Sequence, residues 1–448
     1  MTRQDDLPLT FHPPRVYVLK GVWDNPGAAA RARRLCEAWP AAEVRTYTYA
    51  DLPDIVVEEG LDHCPRMGTR PAVPPPVPLL SLFRFDEQAV ADEAKRMAAA
   101  YKGDGYFPWH SAAGGGAFVF FCSGISEIRP NPVHVCRPQW RLHQGMGCPH
   151  QCAYCSLGSF LLINLNTESY LERLADLLRQ NPWQKTYLYD DVMDVPTLEP
   201  QVDTLGPLMR FFEATGDRYL IIHTNSDRVQ PLIDAGAPRN TILVWSLSGP
   251  TQSSRLEPRT GSTEQRVEAA RRCQEAGFTI RYKFKPIIPV PRWREEAAYT
   301  IDLALRRSRP DNLSMTCLMW MPLADLQACI PAGLLDAEFL QAAEQARGEM
   351  QDAPGIQVGP FPQALREQVY RHYLAEIRKH DAEVPVTLST ESLEIWAAMG
   401  RELGVNPGNY VCGCGAGATP GRRLLHSNPW EDARQARTWN GRVAQPGA

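Results

Sequence analysis

Apolar positions change their spacing along the second half of the chain, and these changes predict alternating helices and strands. Strands are predicted where short apolar runs stand between turn residues, at 186–189, 219–225, 241–246, 279–287 and 312–320. Helices are predicted where apolar residues recur at helical spacing or a capping pattern occurs, at 167–178, 205–214, 262–276 and 295–307. Thr167 is predicted to cap the first of these helices. The alternation predicts a parallel sheet or barrel.

The beginning of the chain predicts a smaller α/β unit. Strands at 15–19 and 43–47 flank a helix at 27–39, and no Gly-x-Gly-x-x-Gly turn follows the first strand, so no dinucleotide site is predicted. The proline-rich run at 70–78 is predicted to be a stiff surface connector. We therefore expect an N-terminal α/β (Rossmann-like) domain at 14–125 with this connector near 70–79, a barrel at 126–400 and a tail at 401–448.

Composition favours an ordinary soluble, cytoplasmic protein. The chain has 448 residues, of which 44% are hydrophobic and 22% charged, and no apolar run approaches the length of a membrane span. Twelve cysteines, several of them clustered, indicate metal or redox chemistry in a reducing compartment. The net charge of −4 gives no global sign of a polyanion partner. Residues 255–294 nevertheless hold ten Lys or Arg against four Glu, a local +6, which would face phosphates or form a solvated helix face.

Three cysteines, Cys148, Cys152 and Cys155, stand in eight residues with C-x3-C-x2-C spacing. Three thiolates leave one iron of a [4Fe–4S] cluster free to bind another molecule. The alternatives are a structural zinc site completed by His143 or His150, and reduced buried cysteines. With Tyr154 before the third cysteine, the loop resembles that of radical S-adenosylmethionine (SAM) enzymes, in which the free iron binds SAM.

Polar residues follow several of the predicted strands. In a parallel barrel the chemistry occurs at the carboxyl ends of the strands. Each of these residues could equally be a turn or cap residue. The positions selected as cofactor-binding candidates are Asp190, Asp191, Thr224, Asn225, Ser246, Ser248 and Lys285.

Several motifs together resemble the spore photoproduct lyase family. They include Gly-x-Gly-Cys-x3-Cys-x-Tyr-Cys-x-Leu around the cysteines, Thr-Asn-Ser at 224–226, Trp-Ser-Leu-Ser at 245–248 and Glu-Pro-Arg-Thr-Gly at 257–261. The resemblance extends over most of 14–400. It implies a partial (β/α)6 radical SAM barrel that cleaves SAM to a 5′-deoxyadenosyl radical, which in that family attacks a thymine-dimer lesion. It also implies that Tyr154 lies near the adenine, and Asn225 and Ser246 near the methionyl or ribose groups.

The sequence departs from that family at three places. Between Cys155 and Cys273 it has no cysteine, whereas the family carries a hydrogen-donating cysteine near the end of the strand after the cluster. Ser156 stands where the family often has a second tyrosine. Asn225 stands where the family tends to have a lysine that contacts SAM, so repair of spore photoproduct itself is in doubt.

The tail adds a Cys-x-Cys loop, Cys412-Gly413-Cys414, flanked by further glycines and predicted to be flexible. Three interpretations stay open. The pair would supply ligands of a second iron–sulfur cluster, act as a redox dithiol or hydrogen donor, or have no function. Further ligands of such a cluster would come from Cys36, Cys64, Cys122, Cys136, Cys317 or Cys329.

The sequence therefore predicts a radical SAM enzyme with a [4Fe–4S] cluster, reduced by a flavodoxin or ferredoxin. The first hypothesis is hydrogen abstraction from a small molecule or peptide, which the acidic segment at 190–194 and the missing donor cysteine favour. The second is a DNA-lesion enzyme, which the basic segment and Trp293, expected to be exposed, favour. The third is a zinc-stabilised binding protein without enzymatic activity.

Overall fold

A computed structural model describes residues 11–62, 76–121, 135–158, 160–319, 321–346 and 360–421, and the backbone of 438–439 and 442–443. The strands are β1 Arg15–Leu19, β2 Glu43–Tyr47, β3 Val77–Ser81, β4 Phe118–Phe121, β5 Gln139–Leu142, β6 Gly145–Gly147, β7 Phe160–Asn164, β8 Thr186–Tyr189, β9 Tyr219–Thr224, β10 Thr241–Ser246, β11 Thr279–Ile287, β12 Leu313–Cys317, β13 Val386–Leu388, β14 Thr438–Trp439 and β15 Arg442–Val443. 

The α-helices are α1 Lys20–Trp23, α2 Pro26–Ala38, α3 Leu52–Glu58, α4 Glu87–Ala100, α5 Trp109–Ala112, α6 Thr167–Gln180, α7 Leu205–Thr215, α8 Gln230–Ala235, α9 Pro250–Arg255, α10 Thr263–Glu275, α11 Trp293–Arg307, α12 Leu323–Cys329, α13 Ala337–Gln345, α14 Gln363–His380 and α15 Leu393–Leu403. Short 3₁₀ helices cover Val195–Leu198 and Ala332–Leu334. Within the described part of the chain, no helix combines the length and apolar character needed to cross a bilayer.

The larger sheet has eight strands in the order β13-β12-β11-β10-β9-β8-β5-β4. All neighbours pair in parallel except β4, which runs antiparallel to β5. From β8 to β13 each strand is followed along the chain by at least one helix, which is the predicted alternation. The α/β fold class with parallel strands is thereby confirmed. The carboxyl ends of these strands share one edge of the sheet, where a parallel fold collects its chemistry.

The smaller sheet has the order β2-β1-β3-β7-β6. Its first four strands are parallel, and β6 is antiparallel to β7. The predicted strands at 15–19 and 43–47 are β1 and β2. Sheet membership does not change at one point of the chain, because β4 belongs to the larger sheet whereas β6 and β7 belong to the smaller one. The cysteine loop therefore begins and ends on the smaller sheet.

The end of the proline-rich run is not the surface connector that we expected. Residues Val77–Ser81 form β3, which lies between β1 and β7 and is buried along its whole length. The apolar residues Leu79 and Leu80 that follow the prolines are fully buried, and this burial decides the position of the strand. Residues 63–75, which contain the rest of the run and Cys64, lie outside the described residues, as does Cys122.

Local sequence patterns correctly predict the positions of two helices, α6 and α10. In α6 the predicted apolar stripe is buried at Tyr170, Leu174 and Leu177, although Thr167 is the first helical residue rather than the cap. The N-cap is Asn166, whose side chain instead bonds the backbone of Phe83. Helix α10 begins with the predicted capping box, in which the side chains of Ser262 and Gln265 each bond the other's backbone N–H.

Candidate active site

The cysteine loop joins β6 to β7, and its backbone is fixed at both ends. Gly147, the last residue of β6, has φ of +104°, and a side chain there would collide with the carbonyl of Phe160. The N–H of Cys148 donates to the carbonyl oxygen of Leu157 at 2.6 Å, which closes the loop. The N–H of Cys155 donates to the carbonyl of Cys152 at 2.9 Å. Cys155 lies close enough to both other thiols for its charge to raise the pKa of Cys148 and of Cys152.

A buried carboxylate, Asp194, connects this loop to the carboxyl end of β9. It accepts hydrogen bonds from the hydroxyl of Thr224 at 2.9 Å and the backbone N–H of Asn225 at 2.6 Å, and it pairs with His150 Nε2 at 3.0 Å. Burial would raise the pKa of Asp194, but His150 and these donors outweigh it and lower the pKa. Asp194 is therefore ionised. The backbone N–H groups of His150 and Asp194 both donate to the sulfur of Cys148.

A second buried carboxylate, Glu257, fixes the other side of the loop. It forms an ion pair with Arg266 at 2.5 Å, and the side chain of Arg266 is fully buried. The hydroxyl groups of Tyr154 and Ser248 donate to Glu257 at 2.8 and 2.9 Å. Arg266 also donates to the carbonyl of Ser246 at 3.0 Å. Three of the predicted site residues thus meet at one buried ion pair.

The two neighbouring aspartates after β8 have different roles. Asp190 is buried, and its carboxylate accepts the backbone N–H groups of Gln144 and Val192 at 2.7 and 2.8 Å. Asp191 is partly exposed and pairs with Arg141 and with His143 Nε2, the latter at 2.8 Å. Burial would lower the pKa of His143, but the two aspartates outweigh it and raise the pKa to about 8. Asp190 therefore binds backbone N–H groups, whereas Asp191 forms ion pairs with Arg141 and His143.

Basic side chains lie on one face of the larger sheet, which we call the inner face. It carries the small apolar cluster of Leu188, Ile221, Ile242 and Val244, and on β9 and β11 it continues with His223 and Lys283. Lys283 Nζ lies 2.9 Å from His223 Nδ1. Lys285 Nζ lies 3.3 Å from the hydroxyl of Ser389. Burial and the neighbouring Lys285 lower the pKa of Lys283 to about 8.

Part of the basic segment at 255–294 is buried, although Arg255 and Arg292 are exposed. Arg266 is buried against Glu257, and Arg281 is buried against Asp311 at 2.6 Å. The two lysines of this segment extend from β11 toward the inner face. The expectation that Trp293 is exposed is wrong, because only 2% of it is accessible and it packs against Phe339.

Comparison with known proteins agrees with this geometry. The family model for spore photoproduct lyase matches residues 138–316, which include the cysteine loop and strands β5 to β12. This part of the chain is therefore similar to spore photoproduct lyase. A curated spore photoproduct lyase from Clostridium acetobutylicum is 22% identical over 184 residues, which are 38% of this chain and 54% of that relative. The match thus spans about half the length of the relative.

Solved spore photoproduct lyases share the fold. A mutant form superposes with a TM-score of 0.57 at 13% identity, covering 86% of this chain and all of that one. Another mutant, with bound AdoMet and dinucleoside spore photoproduct, gives a TM-score of 0.56 at 13% identity, with 86% and 100% coverage. Similarity at this level of identity shows the common fold. The predicted fold and the predicted resemblance to spore photoproduct lyase are confirmed, and one of these solved lyases has AdoMet bound.

The lyase-like cysteine loop suits a cationic cluster. Burial is the largest cause that raises the pKa of Cys148 and Cys152, and Asp194 and Glu257 raise these pKa values further. Three thiolates there need nearby positive charge, which a bound metal cluster provides. The two backbone N–H groups at Cys148 suit a thiolate sulfur that is ligated and negatively charged.

Sequence reasoning chose residues around the site but missed those that hold it together. Asp194 and Glu257 were not predicted as site residues, although both lie in motifs that the sequence made conspicuous. Of the predicted residues, the structure joins Tyr154 and Ser248 through Glu257, and Thr224 and Asn225 through Asp194. Lys285 lies apart from both carboxylates, beside Ser389 and Thr390.

Proposed function

We propose that this protein is a radical SAM enzyme in which Cys148, Cys152 and Cys155 hold a [4Fe–4S] cluster. Bound there, the cluster would supply the electron that cleaves SAM to a 5′-deoxyadenosyl radical. The observation that carries the proposal is the cysteine loop itself, which Asp194 and Glu257 tie to the carboxyl ends of β9 and β10. Both carboxylates are buried, with 6% and 2% of their surface accessible, so the loop is held rigidly before any cofactor binds.

We infer that the chain's own residues orient the cofactor. Glu257 fixes the ring of Tyr154 beside the third cysteine, and we infer that this ring lies against the adenine. Asp194 fixes the backbone of Asn225, whose side chain is half-buried and offers an amide to the methionyl or ribose groups. Ser246 lies at the same edge, held through its carbonyl by Arg266. We infer that these three residues, with Ser248 behind Tyr154, form the SAM site.

The inner face favours a substrate with negative charge. Lys283, Lys285 and Arg141 are half-buried rather than fully exposed, and the two lysines lie close enough for Lys285 to lower the pKa of Lys283. Each half-buried cation gains from an anionic group that replaces lost water. We therefore propose hydrogen abstraction from a small anionic molecule or a peptide carboxylate that enters this space.

A DNA lesion is the second candidate, because spore photoproduct lyases are relatives and one binds dinucleoside spore photoproduct. An enzyme that modifies a base must first take it out of the stack. Arg266 and Arg281 of the basic segment are buried in ion pairs, so only part of its positive charge is available to a duplex. A lesion would therefore enter as a flipped dinucleotide, with its phosphate toward the lysines of β11.

The test is anaerobic reconstitution with iron and sulfide, followed by reduction with dithionite, or with flavodoxin or ferredoxin as the proposed donor. We expect about four irons per chain and release of 5′-deoxyadenosine from SAM. The triple variant Cys148→Ala, Cys152→Ala, Cys155→Ala should lose both, whereas Cys36→Ala in α2 should keep both. One zinc and no iron in the wild-type protein would instead support a structural metal site and reject the proposal.

The substrate is tested separately with dinucleoside spore photoproduct. Conversion to thymidine products under the same conditions would favour lesion repair. If the wild-type enzyme cleaves SAM but leaves this compound unchanged, while small carboxylates or peptides stimulate cleavage, the first candidate holds. Binding of single-stranded oligonucleotides should weaken steeply with salt if phosphates are contacted.

A further inference from the structure

Residues 410–418, which we call the tail loop, pack against the larger sheet and are not a flexible tail. The carbonyl of Gly413 accepts a hydrogen bond from Arg281 at 3.1 Å, and the carbonyl of Val411 accepts one from Asn312 at 3.2 Å. The carbonyl of Ala416 accepts the backbone N–H groups of Lys185 and Thr186. These contacts join the loop to residues at or near the starts of β8, β11 and β12. The expectation of a mobile Cys-x-Cys segment is therefore wrong.

The tail loop brings its two thiols to the inner face. Val411 and Ala418 complete the apolar cluster of that face, and Cys414 packs against it. The sulfur atoms of Cys412 and Cys414 lie 3.6 Å apart. Cys412 is 5% accessible, whereas Cys414 is half-buried. Cys414 and His223 are close enough for each to shift the other's pKa.

His223 places a buried imidazole beside the thiol pair. Its Nδ1 contacts Lys283, but its Nε2 is buried and has no hydrogen-bond partner within the part of the chain that the structure describes. A buried polar atom without a partner costs about 1–3 kcal/mol unless water or a ligand bonds it. The thiol pair thus lies beside an imidazole and an ammonium group.

We propose that Cys412 and Cys414 are a redox-active dithiol that gives a hydrogen atom to a carbon radical formed at the inner face. The dithiol part stands on geometry alone, whereas the hydrogen transfer rests on the radical SAM function proposed above. A side chain added at Gly413, between the two thiols, would meet Asn312 and Ser314 at 3.4 Å. A 3.6 Å separation needs only a small movement to reach the S–S bond length of about 2.05 Å.

The proposed step balances as follows. The S–H bond of Cys414 breaks, a C–H bond forms on the substrate, and a sulfur radical remains. The thiolate of Cys412 adds to it, giving a three-electron S–S bond. An oxidised one-electron carrier of the ferredoxin or flavodoxin class accepts one electron, which leaves a disulfide. An external dithiol of the thioredoxin class then supplies two electrons, and solvent the protons, to restore both groups.

The two thiols differ in the way that this step requires. The hydrogen bond between them lowers the pKa of Cys412 to about 7 and raises that of Cys414 to about 12. Cys414, the more accessible of the two, therefore holds the hydrogen, and Cys412 supplies the thiolate. Arg137 lies beside Cys412 and also favours its anion.

A mononuclear metal site does not fit the pair. Across the described residues, no group of three His, Cys, Asp or Glu ligand atoms within 4.8 Å of one another includes either thiol. A zinc ion needs four such ligands in structural sites. Ligation of a second iron–sulfur cluster remains an outcome of the test, because a cluster spans a larger distance.

The first experiment needs no substrate. Trypsin releases residues 402–422 as one peptide with both cysteines and no others. The reconstituted enzyme is equilibrated with reduced and oxidised dithiothreitol and quenched with N-ethylmaleimide. After digestion, the mass of this peptide is measured by mass spectrometry. We expect a reversible change between a doubly alkylated and a disulfide form, while Cys136 stays a thiol. Two thiols that never form the disulfide would overturn the proposal, as would a wild-type iron content that falls by about half in Cys412→Ala/Cys414→Ala.

The second experiment tests the hydrogen transfer. SAM is cleaved in D2O without substrate, so that the 5′-deoxyadenosyl radical itself serves as the carbon radical. We expect one deuterium in the 5′-deoxyadenosine from the wild type and from Cys136→Ala, and at least a fivefold smaller deuterated fraction from Cys414→Ser. An unchanged fraction in Cys414→Ser refutes the donor role. Absence of 5′-deoxyadenosine from the wild type refutes the proposed function, while the peptide experiment still decides the dithiol.

Discussion

Replacing Glu257 by alanine should destabilise the fold around the cysteine loop. The carboxylate is 2% accessible and bonds Arg266, Tyr154, Ser248 and Gln252. Its removal leaves the buried guanidinium of Arg266 without its counter-ion, and breaking a buried ion pair in this way costs about 3–5 kcal/mol. We expect Glu257→Ala to lower the free energy of unfolding by that amount and to reduce iron retention, because the ring of Tyr154 is no longer held.

The matched control, Glu268, is on α10, the helix that carries Arg266. Glu268 pairs with Arg271 at 2.7 Å, but both side chains are partly exposed, at 46% and 31%. Such a pair contributes about 0–1 kcal/mol. Urea unfolding followed by circular dichroism, beside iron counting, compares Glu257→Ala with Glu268→Ala. If the two variants unfold within about 1 kcal/mol of each other, the ion pair with Arg266 is not what holds the loop.

Two further predictions concern charged groups near the site. Asp194→Asn should lower the free energy of unfolding by about 2–3 kcal/mol, because the hydrogen bonds from Thr224 and Asn225 lose their charged acceptor. It should also slow cluster assembly. Equal iron uptake by wild type and variant would contradict this. His143 has its pKa raised from 6.5 to about 8 beside Asp191, so its contribution to stability is complete below pH 6.5 and is lost as the pH rises through about 8. The urea midpoint of the wild type should fall over that interval relative to His143→Gln, and parallel pH profiles would show that this pair does not stabilise the fold.

Local periodicity was enough to predict much of the larger sheet. Strands β8 to β11 lie within a residue of their predicted positions because each is a short apolar run bounded by turn residues. The capping box of α10 and the stripe of α6 depend on contacts three or four residues apart, so they too are visible in the sequence. The carboxyl ends of these strands follow directly from the parallel order.

Contacts between distant residues could not be predicted in this way. The apolar runs of β3 and β7 pair with each other across more than 80 residues of chain, and one of them follows prolines that hide its strand character. Asp194 and Glu257 are ordinary acidic residues until their partners are known. The basic segment at 255–294 has a local charge of +6, but charge alone does not reveal that Arg266 and Arg281 are buried.

Strand β9 shows how closely the two sulfur sites approach. Its last residue, Thr224, bonds Asp194, whose own N–H donates to Cys148 in the cysteine loop. The preceding residue, His223, lies close enough to Cys414 for this thiol to shift its pKa. Successive residues of a strand advance only about 3.3 Å. The two loops therefore meet the same strand one residue apart although 257 or more residues separate their cysteines in sequence.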